Sequence, residues 1–368
     1  MSLFGRATHV GSLLRPPQLL RARADHAAGR LAADELRRIE QESILVALAV
    51  QQDSGVGPYT DGEYLRTDFM SGLTEHVDGF AEQAPSLEWQ TEGHREEDAS
   101  ILRLVGGKLT YRERFTAREA AFLAAHAPGP FKINLPEVTN FVVANWDAEV
   151  SGRLYPRRGD IVDDLTTVLL QEAAALADDG VRHVQIDAPC FIAFANPRIL
   201  ALLESEGIDT RALLRRCVDA DAAVVRLLRE RGVSVGMHIC RGNYRGQWFN
   251  EGFYDDIAAE VFGGVPVDHW LLEYDTERAG TFEPLQHVPD GVGVVLGLIT
   301  TKSGDLEDAD ELARRVSAAA RFVPLENLAI SPQCGFASEV RGNPLTWDDQ
   351  RRKLDLTAKV AQRVWGTV

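Results

Sequence analysis

Eight short apolar runs set the strongest limit on how this chain folds. Most are followed by a polar or Gly/Pro-containing turn and then a longer amphipathic stretch. The runs are Ala7–Ser12, Pro58–Tyr64, Phe131–Pro136, His183–Pro189, Val233–Cys240, His269–Asp275, Gly291–Ile299 and Leu328–Cys334. The amphipathic stretches predict helices over Asp34–Ser54, Asp160–Asp179, Asp209–Arg231, Asp305–Phe322 and Thr346–Trp365. Several open on an Asp or Thr suited to an N-cap. Strands that alternate with helices imply a parallel sheet. Eight of them in 368 residues predict an α/β fold, a (β/α)8 TIM barrel, with residues 1–368 forming a single domain. An open doubly wound sheet is the rival, but no G-x-G-x-x-G follows the first run. The segment from about 78 to 130 is polar, then helical over Thr116–His126. It breaks the alternation and is expected as an insertion between strands 2 and 3.

The formal net charge of -16 argues against nucleic acid or an anionic membrane surface as the main partner. No apolar run approaches the roughly 20 residues that span a bilayer. The opening MSLFGRATHVGS lacks the apolar region and cleavage site of a signal peptide. Four cysteines in a chain of this size do not suggest a disulfide framework, so a reduced, cytoplasmic protein is expected. The sequence leaves homo-oligomer formation open.

The ends of the predicted strands carry the chemistry. In Val233–Cys240, Val233, Val235, Met237 and Ile239 share one face, and Ser234, Gly236, His238 and Cys240 the other. Ser12, Glu63, Asp187, Glu273 with Asp275, and Cys334 also fall at strand ends. In a barrel these ends open onto one face, so residues far apart in sequence converge. His238, Cys240, Glu273 and Cys334 offer one nitrogen, two sulfurs and a carboxylate, a set suited to tetrahedral Zn²⁺. Asp275 shares a strand face with Glu273 and competes as the carboxylate ligand; Glu273 also has Arg278 as an alternative partner. A sulfur-rich zinc site suits activation of a substrate thiol. Taken singly, each residue has a plainer role: a buried cysteine is usually a small core hydrophobe. Cys190 and Cys217 are assigned to the core. The carboxylates of Asp61-Gly62-Glu63 and Asp187 suit an amine, or alternatively a helix cap or a neighbouring arginine, and Ser12 suits a carboxylate.

Thr8-His9-Val10-Gly11-Ser12 with Arg15-Pro16, Asp61-Gly62-Glu63, Gln185-Ile186-Asp187-x-Pro189, His238-x-Cys240, Leu272-Glu273-Tyr274-Asp275 and Pro332-x-Cys334-Gly335 occur in that order. Together they resemble the catalytic barrel of cobalamin-independent methionine synthases. They are closer to the short single-barrel relatives, which include epoxyalkane:coenzyme M transferase. The resemblance implies one Zn²⁺ per chain on His238, Cys240, Glu273 and Cys334. It also implies a homocysteine whose amino and carboxylate groups lie at Ser12, Glu63 and Asp187. The expected activity is methyl transfer from a methylated folate or another donor to homocysteine, giving methionine. The family's D-E-P reads Asp187-Ala188-Pro189 here, so one acid is missing. Its proton-donor loop reads Ile299-Thr300-Thr301-Lys302-Ser303, leaving Lys302 as the candidate donor. Trp146 is a candidate for stacking on a pterin. Two other functions compete. One joins coenzyme M or another small thiol to an epoxide or alkyl donor, with Arg15, Arg241 and Arg245 as sulfonate ligands. The other is a non-catalytic, zinc-stabilised thiol-binding protein.

Overall fold

A computed structural model of the chain describes residues 5–91, 94–99 and 103–368. Its strands are β1 (Val77–Phe80), β2 (Ser86–Thr91), β3 (His94–Ala99), β4 (Val105–Tyr111), β5 (Ile133–Pro136), β6 (His183–Asp187), β7 (Ser234–Ile239), β8 (His269–Glu273), β9 (Gly293–Ile299) and β10 (Leu328–Pro332). The last six form one parallel sheet in the order β10-β9-β8-β7-β6-β5. Every residue of β5, β9 and β10 is buried. Strands covered on both faces are typical of a parallel sheet wrapped by helices.

The helices form where their caps and apolar stripes predict. Residues 210–230 are capped by Asp209, which accepts the Ala212 N–H at 3.0 Å, and bury Leu214, Val218, Val225 and Leu228. Residues 347–365 begin with a reciprocal Thr346–Asp349 capping box and end at Gly366, φ 72°. The helix expected from Asp305 starts later, at Ala309, because Asp308 is the residue that caps it. No helix among the described residues is long and apolar enough to cross a membrane.

The first two expected strands are not ladders. Ala7 makes a single parallel bridge to Ile330 at one edge of the sheet, and Tyr59 one to Phe131 at the other. The sheet is therefore six strands with a bridged segment at each edge rather than a closed ring of eight. The reason is local. Side chains replace ladder partners: Thr60 Oγ1 donates to the Gly11 carbonyl at 2.8 Å, and Gly62 turns at φ 73°. The two segments still touch, through Gly57 N–H to Ala7 O at 3.2 Å and Leu13 N–H to Gly62 O at 3.0 Å.

Between Tyr59 and β5 the chain makes two antiparallel pairs, β1 with β4 and β2 with β3, and a helix over Ala117–His126. The expected interruption at 78–130 includes residues 92–93 and 100–102, which lie outside the described residues.

Gly297 in β9 has no room for a side chain. A Cβ there would lie 2.8 Å from both Gln333 Cα and the Leu272 carbonyl oxygen. Both neighbours are backbone and cannot swing aside. Gly297→Ala is expected to destabilise the protein by about 1–3 kcal/mol through overpacking. Urea unfolding of variant and parent measures this; an unchanged midpoint would contradict it.

Candidate functional site

His238, Cys240 and Cys334 converge at the C-terminal ends of the sheet strands. Their ligand atoms all lie within 4.8 Å of one another, and all three residues are buried. His238 is on β7 with Cys240 just beyond its end, so the i, i+2 spacing turns both side chains to the same face. His238 Nδ1 pairs with the Leu271 carbonyl at 3.1 Å. That leaves Nε2 buried without an oxygen or nitrogen partner. The Cys240 and Cys334 sulfurs are 3.8 Å apart. The contact with Cys240 draws the Cys334 thiol well below the usual thiol range; burial opposes this and the His238 imidazole adds to it. The contact with Cys334, with burial, pushes Cys240 up. An imidazole nitrogen with no other partner and two close sulfurs are a donor set fit for a soft divalent metal.

Glu273 is the last residue of β8 and is fully buried, but it stands outside that group of three. Its Oε2 accepts the Arg241 backbone N–H at 2.8 Å, and its Oε1 accepts from Arg278 at 3.0 Å. Burial pushes its carboxyl up, but the charges of Lys302, Arg241 and Arg278 outweigh burial and hold it at about 2. Asp275 is drawn to the same Arg278, at 3.5 Å. Lys302 Nζ is buried without a hydrogen-bond partner, and its charge bears on both Glu273 and Cys334.

Ser12, Glu63 and Asp187 line the same cavity as the sulfur cluster, a space of about 850 Å³ including its open part. Glu63 is a non-glycine residue at φ 59°. Asp61 Oδ1 accepts the Glu63 N–H at 2.8 Å and Gly62 supplies the preceding positive φ, so the turn holds Glu63 in a strained conformation at the cavity wall. Arg15 fixes this turn by donating to the Glu63 and Arg66 carbonyls, each at 2.9 Å. Asn134 Nδ2 lies between the two acids, 3.0 Å from Asp187 Oδ2 and 3.3 Å from Glu63 Oε1. Burial raises the Glu63 carboxyl to about 8; Arg66 pulls it down and Asp187 pushes it further up. Ser12 packs on Gly335, where a Cβ would fall 1.9 Å from Ser12 Oγ.

Some sequence assignments do not reach the cavity. Arg15 spends its guanidinium on backbone carbonyls, and Arg241 donates to the Gly252 carbonyl and lies 4.9 Å over the Tyr254 ring. Arg245 does not line the cavity. Trp146 is buried, donates to the Tyr155 carbonyl at 2.9 Å and has Arg158 over its ring, so it is a packing residue away from the cavity. Cys190, assigned to the core, is buried and also lines the cavity.

Other residues were not singled out by the sequence. Asn134 is one; its signal was the alternation of the polar Lys132 and Asn134 within the otherwise apolar run Phe131–Pro136. Trp89 is another, and carried no signal. It comes from β2, lines the cavity, and stacks on Tyr244 at 4.7 Å and 21°. Gln90 holds this strand in place by pairing its backbone with Trp248, at 2.9 and 3.0 Å.

Residues 5–363 match the sequence family described as "Cobalamin-independent synthase, catalytic domain". The chain is 33% identical to the uncharacterized protein YxjH of Bacillus subtilis, over 98% of this chain and 94% of that protein. It is 23% identical to a methionine synthase of Saccharolobus solfataricus, over 89% of this chain and 87% of that one. Its fold matches the solved structure of a B12-independent methionine synthase from Shewanella sp. W3-18-1 in complex with selenomethionine. That match has a TM-score of 0.72 and 20% identity, and it covers 98% of this chain and 97% of that one.

Proposed function

Because this chain belongs to the cobalamin-independent synthase catalytic-domain family, we propose that it is a zinc-dependent methyltransferase that makes methionine from homocysteine. The observation that carries this reading is one cavity with two chemistries. A His238–Cys240–Cys334 cluster lies on one wall, and Ser12, Glu63 and Asp187 lie on another. We assign one zinc ion per chain to His238, Cys240 and Cys334, with Glu273 as the fourth ligand. Its buried position at the end of β8, next to β7, and the reach of its charge to Cys240 support that place. We read residues 1–368 as one domain of the (β/α)8 class in which the single-bridge segments at Ala7 and Tyr59 take the first two strand positions, with the 78–130 segment inserted after the second of them. The Shewanella likeness supports the barrel. A cytoplasmic location fits the free, buried state of all four cysteines.

Zinc, when bound, supplies a Lewis acid that favours the thiolate form of a substrate thiol. Glu63 and Asp187 bind the homocysteine ammonium, and the Ser12 hydroxyl donates to its carboxylate. The sulfur then bonds to the methyl carbon of the donor as the bond from that carbon to its carrier breaks. Lys302 is the candidate source of the proton the departing carrier takes; it does not line the cavity itself, and its buried ammonium acts from behind the wall through Glu273 and Cys334. Trp89, Tyr244 and Phe249 form an aromatic wall that keeps water from this step. A sulfonate thiol fits less well, since Arg15 and Arg241 are committed to backbone carbonyls. The selenomethionine of the Shewanella complex is an analogue of the proposed product.

The test is mass-spectrometric detection of methionine from L-homocysteine with a methylated folate or a methyl-corrinoid, run beside coenzyme M with an epoxide. Methionine is the expected product. A thioether from coenzyme M alone, or thiol binding with no turnover, would contradict the reading.

The charge on Glu63 gives this subsite a pH dependence. With its pKa raised to about 8, Glu63 holds a proton in the free protein below that pH, whereas an ammonium ligand prefers the anion. Affinity for L-methionine is therefore expected to rise as pH increases from 6.5 to 8, by up to roughly tenfold per unit, and Glu63→Gln should flatten the profile. Calorimetric titration at three pH values checks this; a profile unaltered by the substitution would contradict it.

A further inference from the structure

The two acids at the cavity wall are the upper end of a buried hydrogen-bond chain running down the strand interior. Asp187 Oδ1 accepts from Gln185 Nε2 at 2.6 Å, and the same Nε2 donates to the Val10 carbonyl at 2.7 Å. Gln185 Oε1 in turn accepts from Lys132 Nζ at 2.6 Å. Lys132 also donates to the His9 carbonyl at 2.5 Å. Gln185 on β6 and Lys132, just before the start of β5, sit two residues before Asp187 and Asn134, one layer deeper in the sheet. Lys132 is only 4% exposed and Gln185 1%.

This chain has a direction. An amide has one oxygen and one NH2 group, and either orientation fits the same space. A lysine amine has the two N–H donors that these bonds use whether it is charged or neutral. By taking the Gln185 oxygen, Lys132 turns the amide NH2 towards Asp187. With Lys132 gone, the Gln185 oxygen is left buried without its donor, and only the Val10 carbonyl and Asp187 itself still hold the amide NH2 in that direction. We propose that Lys132 is a positioning residue for the substrate amine: through the Gln185 amide it clamps Asp187 in the orientation that receives the ammonium, without touching substrate. This rests on the assignment of Glu63 and Asp187 to the amine.

The test compares Lys132→Met, Gln185→Leu and Asp187→Asn in the full-length, zinc-loaded protein. Calorimetry measures L-methionine and its amine-free analogue 4-(methylthio)butanoate. Zinc content and circular dichroism are recorded for each variant. The expected result is a roughly tenfold loss of L-methionine affinity in both Lys132→Met and Gln185→Leu, the order of one hydrogen bond to a charged group. The analogue should change less than about twofold and zinc should be retained. Equal losses for both ligands would mark general structural damage and overturn the proposal. Full L-methionine affinity in Lys132→Met alongside a loss in Asp187→Asn would overturn the Lys132 assignment alone. Absence of methionine binding, or no loss in Asp187→Asn, would overturn the amine reading and this proposal with it. Should Lys132→Met fail to fold, Lys132→Ala takes its place under the same criteria.

Discussion

Cys334→Ala is expected to lower methionine formation by more than about a hundredfold, because even outer-shell changes at metal sites cost ~10- to 100-fold. Cys240→Ala should match it. The two sulfurs, 3.8 Å apart, are the soft donors of the cluster, and His238 contributes a single nitrogen. Removing one leaves too few close ligands for a tetrahedral ion. The loss should appear in zinc content as well as in turnover. Cys217, buried in the 210–230 helix and absent from the cavity lining, is the control: Cys217→Ala should keep both zinc and turnover. Turnover retained in Cys334→Ala would remove the basis of the mechanism.

Arg66→Met is expected to destabilise the fold by about 3–5 kcal/mol, the range for breaking a buried ion pair. Arg66 and Glu119 are each 4% exposed and meet at 2.5 Å. Arg66 also donates to the Asn134 carbonyl at 2.8 Å, tying the Glu63 turn to β5. Burial disfavours its charge, but Glu119, Glu63 and Asp61 more than restore it. Methionine would leave Glu119 as an unpaired buried acid. The double variant Arg66→Met/Glu119→Leu should recover most of the loss, since a buried pair replaced by apolar residues is often near neutral. Urea unfolding of both variants checks this; a double variant as unstable as the single one would show that the carbonyl bonds of Arg66, not its charge pairing, carry the stability.

The parallel sheet and the sulfur cluster were legible in the sequence for one physical reason: both follow from local alternation. Val235, Met237 and Ile239 bury one face of β7, so His238 and Cys240 must share the other. Cys334 at the end of another strand then joins them through topology. What was not legible depends on contacts between segments distant in sequence. The Ala7 and Tyr59 segments look like strands, yet each forms one bridge, because Thr60 and the Gly62 turn take over their bonds. Arg15 and Arg241 look like anion ligands in the chain, but carbonyls from the loops at 336–339 and 252 claim them. Glu273 ends a strand that was predicted to run on to Asp275, and Arg278 and the Arg241 N–H orient its carboxylate, an orientation no sequence pattern gives. Trp89 lies in a polar stretch without clear periodicity, and only the docking of β2 on Tyr244 and Trp248 puts it at the cavity.

The central claim is that this cavity binds a metal that in turn binds a thiol. X-ray absorption at the zinc edge, on the zinc-loaded protein before and after addition of homocysteine, tests it most directly. The account predicts about one zinc per chain with nitrogen and two-sulfur coordination, and a further zinc–sulfur contact when homocysteine is added. A sulfur count that homocysteine leaves unchanged would contradict it.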